Sequence, residues 1–106
     1  MANQRNRFQF RALFDECLTE TYTLDVANLA DGAGSTSTRT VAGAALGDFV
    51  LVSFGVDLAG ITVTAYVSAA NTVAIRVQNE SGGAVDLAST TVRIAVLKPA
   101  SGAFFA

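Results

Sequence analysis

The sequence predicts an all-β protein, an antiparallel β-sandwich or barrel-like module of about six strands with an N-terminal arm. Three observations point there. Apolar residues recur at every second position in several short runs, Gly-, Ser- and Asn-containing connections separate those runs, and no stretch makes a convincing long helix. Successive side chains on a strand point to opposite faces, so each run can bury one side and leave the other in water.

Residues 1–19 form the predicted arm. Phe10, Leu13, Phe14, Cys17 and Leu18 follow the spacing of a short amphipathic helix, while Phe8 and Phe10 alternate as in a strand. Charge opposes the helix, because Arg5, Arg7 and Arg11 stand at its start and Asp15 and Glu16 near its end, against the helix dipole. The first clear strand covers Glu20 to Val26, where Tyr22, Leu24 and Val26 alternate with Thr21, Thr23 and Asp25. Asp31-Gly32-Ala33-Gly34 marks a loop, and Thr36 to Val41 a more polar strand suited to a sheet edge.

After the small, Gly-rich turn Ala42 to Gly47, four runs follow. Val50, Val52 and Phe54 share one face. Ile61, Val63, Ala65 and Val67 oppose Thr62, Thr64, Tyr66 and Ser68; Val73, Ile75 and Val77 oppose Ala74, Arg76 and Gln78; Val92, Ile94 and Val96 oppose Arg93, Ala95 and Leu97. β-Branched residues dominate, as a pleated, half-buried surface favours. Val56 to Gly60 links the first pair of runs. Ala69-Ala70-Asn71 is short enough to make its flanking strands an antiparallel hairpin, Ser81-Gly82-Gly83 opens the last loop, and Pro99 ends the last strand by removing a backbone donor. The sandwich domain is thus expected over residues 20–99, with a tail, residues 100–106, that carries Phe104 and Phe105.

A chain of 106 residues suits one domain with one core. Hydrophobic content of 51% against 15% charged residues is high for a solitary sandwich with two polar outer faces, so part of the surplus is expected to be covered in an oligomer. A net charge of −2 argues against a nucleic-acid partner, which needs clustered Lys and Arg. The arm is locally basic, and Asp15, Glu16, Glu20, Asp25 and Asp31 make the next stretch acidic. Such an arm can contact a negative surface, although three terminal arginines more often form a solvated tail. No run reaches the roughly 18 apolar residues of a transmembrane helix, and the polar start lacks the apolar core of a signal peptide, so no membrane role and a cytoplasmic site of synthesis are expected. Cys17, the single cysteine, excludes an internal disulfide and reads as a small half-buried hydrophobe.

The chain has no histidine, which removes the commonest general base, the commonest metal ligand and every Ser-His or Cys-His pair. With one cysteine and dispersed carboxylates, neither a metal nor another cofactor is expected, and no enzymatic role is read. Asp15-Glu16 lies in an arm without a cleft, a poor setting for glycosidic chemistry. Gly32-x-Gly34 lacks the third glycine and the helix of a dinucleotide fingerprint. Asn79-Glu80-Ser81 matches a glycosylation sequon without any sign of secretion. Asp48, Asp57 and Asp86 sit at strand borders, where aspartates make local turn hydrogen bonds.

The run Gly43-Ala44-Ala45-Leu46-Gly47-Asp48-Phe49-Val50-Leu51-Val52, then Thr64-Ala65-Tyr66-Val67-Ser68-Ala69-Ala70-Asn71-Thr72-Val73, then Val77-x-Asn79-x-x-Gly82, Asp86-Leu87 and Val92-Arg93-Ile94-x-Val96, resembles a β module of tailed-phage virion proteins, found in small head proteins and fibres, notably of cyanophages. It covers about the last two thirds of the chain and leaves out the arm. The resemblance implies a capsid decoration or cement protein on the virion surface, a homotrimer bound to the major capsid protein. Arg5, Arg7, Phe8, Phe10, Arg11, Phe14, Phe104 and Phe105 are the expected contact residues, the arginines pairing with capsid carboxylates. A fibre or spike component is the alternative, although no long repetitive shaft is present. A small carbohydrate-binding module, with Tyr22 and Tyr66 as stacking platforms, is the third.

Overall fold

The computed structural model describes residues 13–100. They form six strands: β1 (Phe14–Leu24), β2 (Gly34–Thr40), β3 (Phe49–Phe54), β4 (Ile61–Ala69), β5 (Thr72–Asn79) and β6 (Thr90–Pro99). These make two three-stranded sheets, β1-β6-β3 and β2-β5-β4, with every pairing antiparallel. The choice between barrel and sandwich is therefore settled in favour of two separate sheets. β2 lies at an edge, as its polar sequence requires, and β4 and β5 form the expected hairpin.

The two sheets bury their facing sides against each other. β6 contributes Val92, Ile94 and Val96 and β5 contributes Val73, Ile75 and Val77, all at 3% exposure or less. Val50, Val52 and Phe54 of β3, Val63 and Ala65 of β4, and Leu18, Tyr22 and Leu24 of β1 complete the core around them. Each such side chain contributes roughly 1.5–3 kcal/mol by leaving water, which is why the alternation fixes which face points inward. A second cluster of Val26, Leu29, Ile61, Val77 and Leu87 closes one end, where Leu29 and Val85 form an isolated bridge.

The first strand differs from its expected extent. β1 begins at Phe14, so residues 14–19, assigned from sequence to the arm, pair with β6 down to Phe14↔Pro99. The helical spacing of Phe14, Cys17 and Leu18 comes instead from a strand with a bulge. The register shifts between Phe14 and Glu16, which breaks the period of two at that point. Cys17, expected to be half-buried, is exposed, because it falls on the outward parity of β1 opposite Leu18.

Two ends of the sandwich are built differently. At one end the loop between β2 and β3 is tied to the β4–β5 turn: Val41 N donates to Asn71 O (2.9 Å), Asn71 N to Ala44 O (2.8 Å) and Gly43 N to Asn71 Oδ1 (2.8 Å). Lys98 Nζ reaches the same loop, donating to Asp48 Oδ2 (2.7 Å) and Gly43 O (2.9 Å). At the other end the side chain of Asn79, fully buried, donates to Leu29 O and Gly83 O (both 2.8 Å) and accepts from Ser81 N (3.0 Å) and Ser81 Oγ (2.7 Å).

Candidate interaction surface

The outer faces of the two sheets differ in chemistry. On the β2-β5-β4 sheet, Thr36, Thr38 and Thr40 lie beside Arg76 and Gln78 and, across the central strand, Thr62, Thr64 and Tyr66. This face satisfies itself. Arg76 donates to Thr36 Oγ1 (3.2 Å) and Gln78 Oε1 (2.9 Å), and Gln78 Nε2 donates to Gly32 O (3.0 Å) and Glu80 Oε1 (2.8 Å).

The β1-β6-β3 sheet is apolar on its inner side and also over about half of its outer side, the end where β1 begins and β6 ends. Its cross-strand rows run Cys17–Leu97–Phe49, Thr19–Ala95–Leu51 and Thr21–Arg93–Ser53. Leu51 is 61% exposed and Phe49 46% exposed. Phe14 meets Phe49 edge to face, with ring centroids 5.9 Å apart. Ala95 is the small residue of the central strand, and over it lies a shallow depression walled by Thr19, Leu51 and Arg93. At about 320 Å³ it is at the lower limit of small-molecule pockets (roughly 300–1,000 Å³). Its open side suits a protruding side chain of a partner better than an enclosed ligand.

Of the eight expected contact residues, Phe14 is among those described, half-buried against Phe49 on this face. Arg5, Arg7, Phe8, Phe10, Arg11, Phe104 and Phe105 lie outside the described residues. The points at which their segments join the sandwich are adjacent, since Ala100 N donates to Leu13 O (2.7 Å). Both joins stand next to the Phe14–Phe49 pair, because β1 starts and β6 ends at that edge of the face.

Leu51 and Phe49 were visible in the sequence as an anomaly. In β3 the even positions Val50, Val52 and Phe54 face the core, yet the odd positions Phe49 and Leu51 are large and apolar too, which a strand with one wet face does not need.

The remaining candidates resolve into structural roles. Asp48 accepts from Ala45 N (2.9 Å) as well as from Lys98, and Asp57 accepts from Ala59 N (2.9 Å), the local turn bonds expected of them. The amide of Asn79 is consumed in its buried network, so the sequon presents no accessible acceptor. Tyr22 faces inward with Arg39 lying 5.0 Å from its ring centroid and its hydroxyl buried, which removes it as a sugar-stacking platform and leaves Tyr66, 50% exposed. Among the described residues no group of three or more His, Cys, Asp or Glu is placed to hold a metal ion. Comparison with protein-family models, curated proteins and solved structures gives no match.

Proposed function

We propose that this chain is a structural protein of a tailed-phage virion, a decoration or cement protein that binds the major capsid protein as a homotrimer and stiffens the head. The observation that carries the proposal is the outer face of the β1-β6-β3 sheet. Leu51 and Phe49 stand exposed there, and the joins of two phenylalanine-bearing terminal segments, the first of which also carries Arg5, Arg7 and Arg11, lie at the Phe49 end of the face. The resemblance of residues 43–96 to head and fibre modules supplies the virion setting.

The mechanism is mechanical. Burying Leu51 and Phe49 stabilises a complex by roughly 1.5–3 kcal/mol each, while association costs an estimated 4–15 kcal/mol in lost freedom. The face alone is therefore a weak handle. Adding the Phe-rich segments, and repeating the contact across three subunits, multiplies the effective affinity through local concentration. A trimer so attached bridges neighbouring capsid subunits, and expansion of the shell then has to break several buried contacts together.

The test is to add the purified, fluorescently labelled chain to tailed-phage particles lacking their outer proteins and to image where it binds. Signal spread over the head, lost when residues 1–12 are removed, is the expected result. Signal confined to one vertex or to the tail would replace the decoration role with that of a fibre component, and no binding to any particle would overturn the virion setting.

A further inference from the structure

Four basic side chains occur among the described residues, and three are engaged. Arg39 pairs with Glu20 at 3.4 Å, Arg76 with Thr36 and Gln78, and Lys98 with Asp48 at 2.7 Å. Arg93 has no such partner. It stands exposed in the central strand of the apolar face, flanked by the neutral Thr21 and Ser53 and forming one wall of the depression over Ala95. A cation there strengthens no contact within its own subunit.

The complementary charge is at the edge where β1 begins. Asp15 and Glu16 are both exposed and unpaired, and Leu13 beside them is 42% exposed. This corner cannot serve the Arg93 of its own molecule. Phe14 pairs with Pro99, six residues along β6 from Arg93, which at strand spacing is about 20 Å. Two charges that far apart across solvent exceed the screening length of roughly 8 Å at physiological ionic strength.

We propose that the face is a self-association surface: the Leu13, Asp15 and Glu16 corner of one copy docks on the depression of a second, Leu13 entering over Ala95 beside Leu51 while the carboxylates meet Arg93. The occupant is a second copy because the same chain carries both halves of the charge pair, set where they cannot meet internally. Corner and depression are different surfaces, so the contact is head to tail, and it closes into a ring or continues as an open series. The inference deepens the self-association part of the proposed function, giving Leu51 and the depression to the neighbouring copy and leaving Phe49 with the two terminal segments for the capsid, and it stands without the virion part.

Sedimentation of the full chain over a dilution series, in low and in physiological salt, tests it. Wild type should associate, more tightly at low salt. Arg93→Glu should weaken association about tenfold or more, as should Asp15→Lys combined with Glu16→Lys, and all three changes in one chain should restore it. At a dilution where every chain is monomeric, thermal melting should be unchanged in each variant, since every altered side chain is exposed. A wild type that is monomeric at every concentration, an Arg93→Glu variant that associates like wild type, or a triple variant without recovery would each overturn the proposal. If association instead rises in a Phe104→Ala, Phe105→Ala variant and ignores Arg93→Glu, the face belongs to the chain's own tail. Because the purified chain alone is read, failure here leaves capsid binding to the imaging experiment.

Discussion

Asn79 sits on the inward parity of β5, in line with Val73, Ile75 and Val77, where an apolar residue would be expected. It is tolerated there because all four hydrogen-bonding positions of its amide are used, and because its own N–H and C=O bond Ala33 O (2.8 Å) and Gly32 N (2.6 Å). Replacing it strips the buried Leu29 carbonyl of its partner, worth about 1–3 kcal/mol when left unpaired, removes the part-buried bonds to Gly83 and Ser81, and leaves a void in the core. Asn79→Ala should therefore lower the unfolding free energy by about 3–4 kcal/mol in urea denaturation, whereas Ser81→Ala, which leaves the amide paired with Leu29 and Gly83, should cost about 1 kcal/mol. A polar residue at a core parity was legible in the sequence. Its role was not, because Leu29 is 50 residues away and only the fold brings the two together. The same holds for Arg39, an inward-facing residue of the edge strand β2 whose partners Glu20 and Tyr22 belong to the other sheet.

The β4–β5 hairpin shows how one turn residue organises an element. Asn71 adopts a left-handed backbone (φ 61°), which asparagine tolerates better than most side chains, and its carboxamide oxygen holds the β2–β3 loop through Gly43 N. Backbone conformation and side-chain bond can be separated by substitution. Asn71→Gly keeps the first and loses the second, so it should cost about 1 kcal/mol; Asn71→Ala loses both and should cost about 2–3 kcal/mol, measured as paired chemical denaturation curves. Alternation alone located five of the six strands closely, since β-branched residues on one parity leave little choice of face. β1 was the exception. Its bulge puts Phe14 against Phe49 on the outer side while Leu18, Tyr22 and Leu24 pack inward, so the apolar residues fall at a spacing of four that imitates a helix. No local signal distinguishes the two; the ladder with β6 decides it.

For the molecule as a whole, the extent of β1 changes what counts as arm. Removing residues 1–12 leaves every described strand intact and should shift the melting midpoint by no more than a few degrees. Removing residues 1–18 deletes Leu18 from its packing on the core and four of the ten residue pairs of the β1–β6 ladder. Loss of one such core side chain costs about 2–5 kcal/mol, which in a domain of this size is a drop of about 10 °C or more by circular dichroism. The apolar surplus read from composition now has a location. The β2-β5-β4 sheet is polar outside, whereas one end of the outer side of the β1-β6-β3 sheet is apolar, an asymmetry that composition cannot show because it sums over both faces.

The hydrogen bond between Ala100 and Leu13 has a consequence for how the sandwich responds to force. β1 and β6 are antiparallel neighbours whose outer ends lie together, so tension applied through both joins would open their ladder one rung at a time, like a zip drawn from its end. Tension entering at one join and leaving through the loops at the far end would instead stress all the rungs in parallel. A shell anchored by both segments of a single copy would thus pull on this fold in its weakest direction. Attachment by one segment, with the opposing pull taken at the far end, would use its strongest.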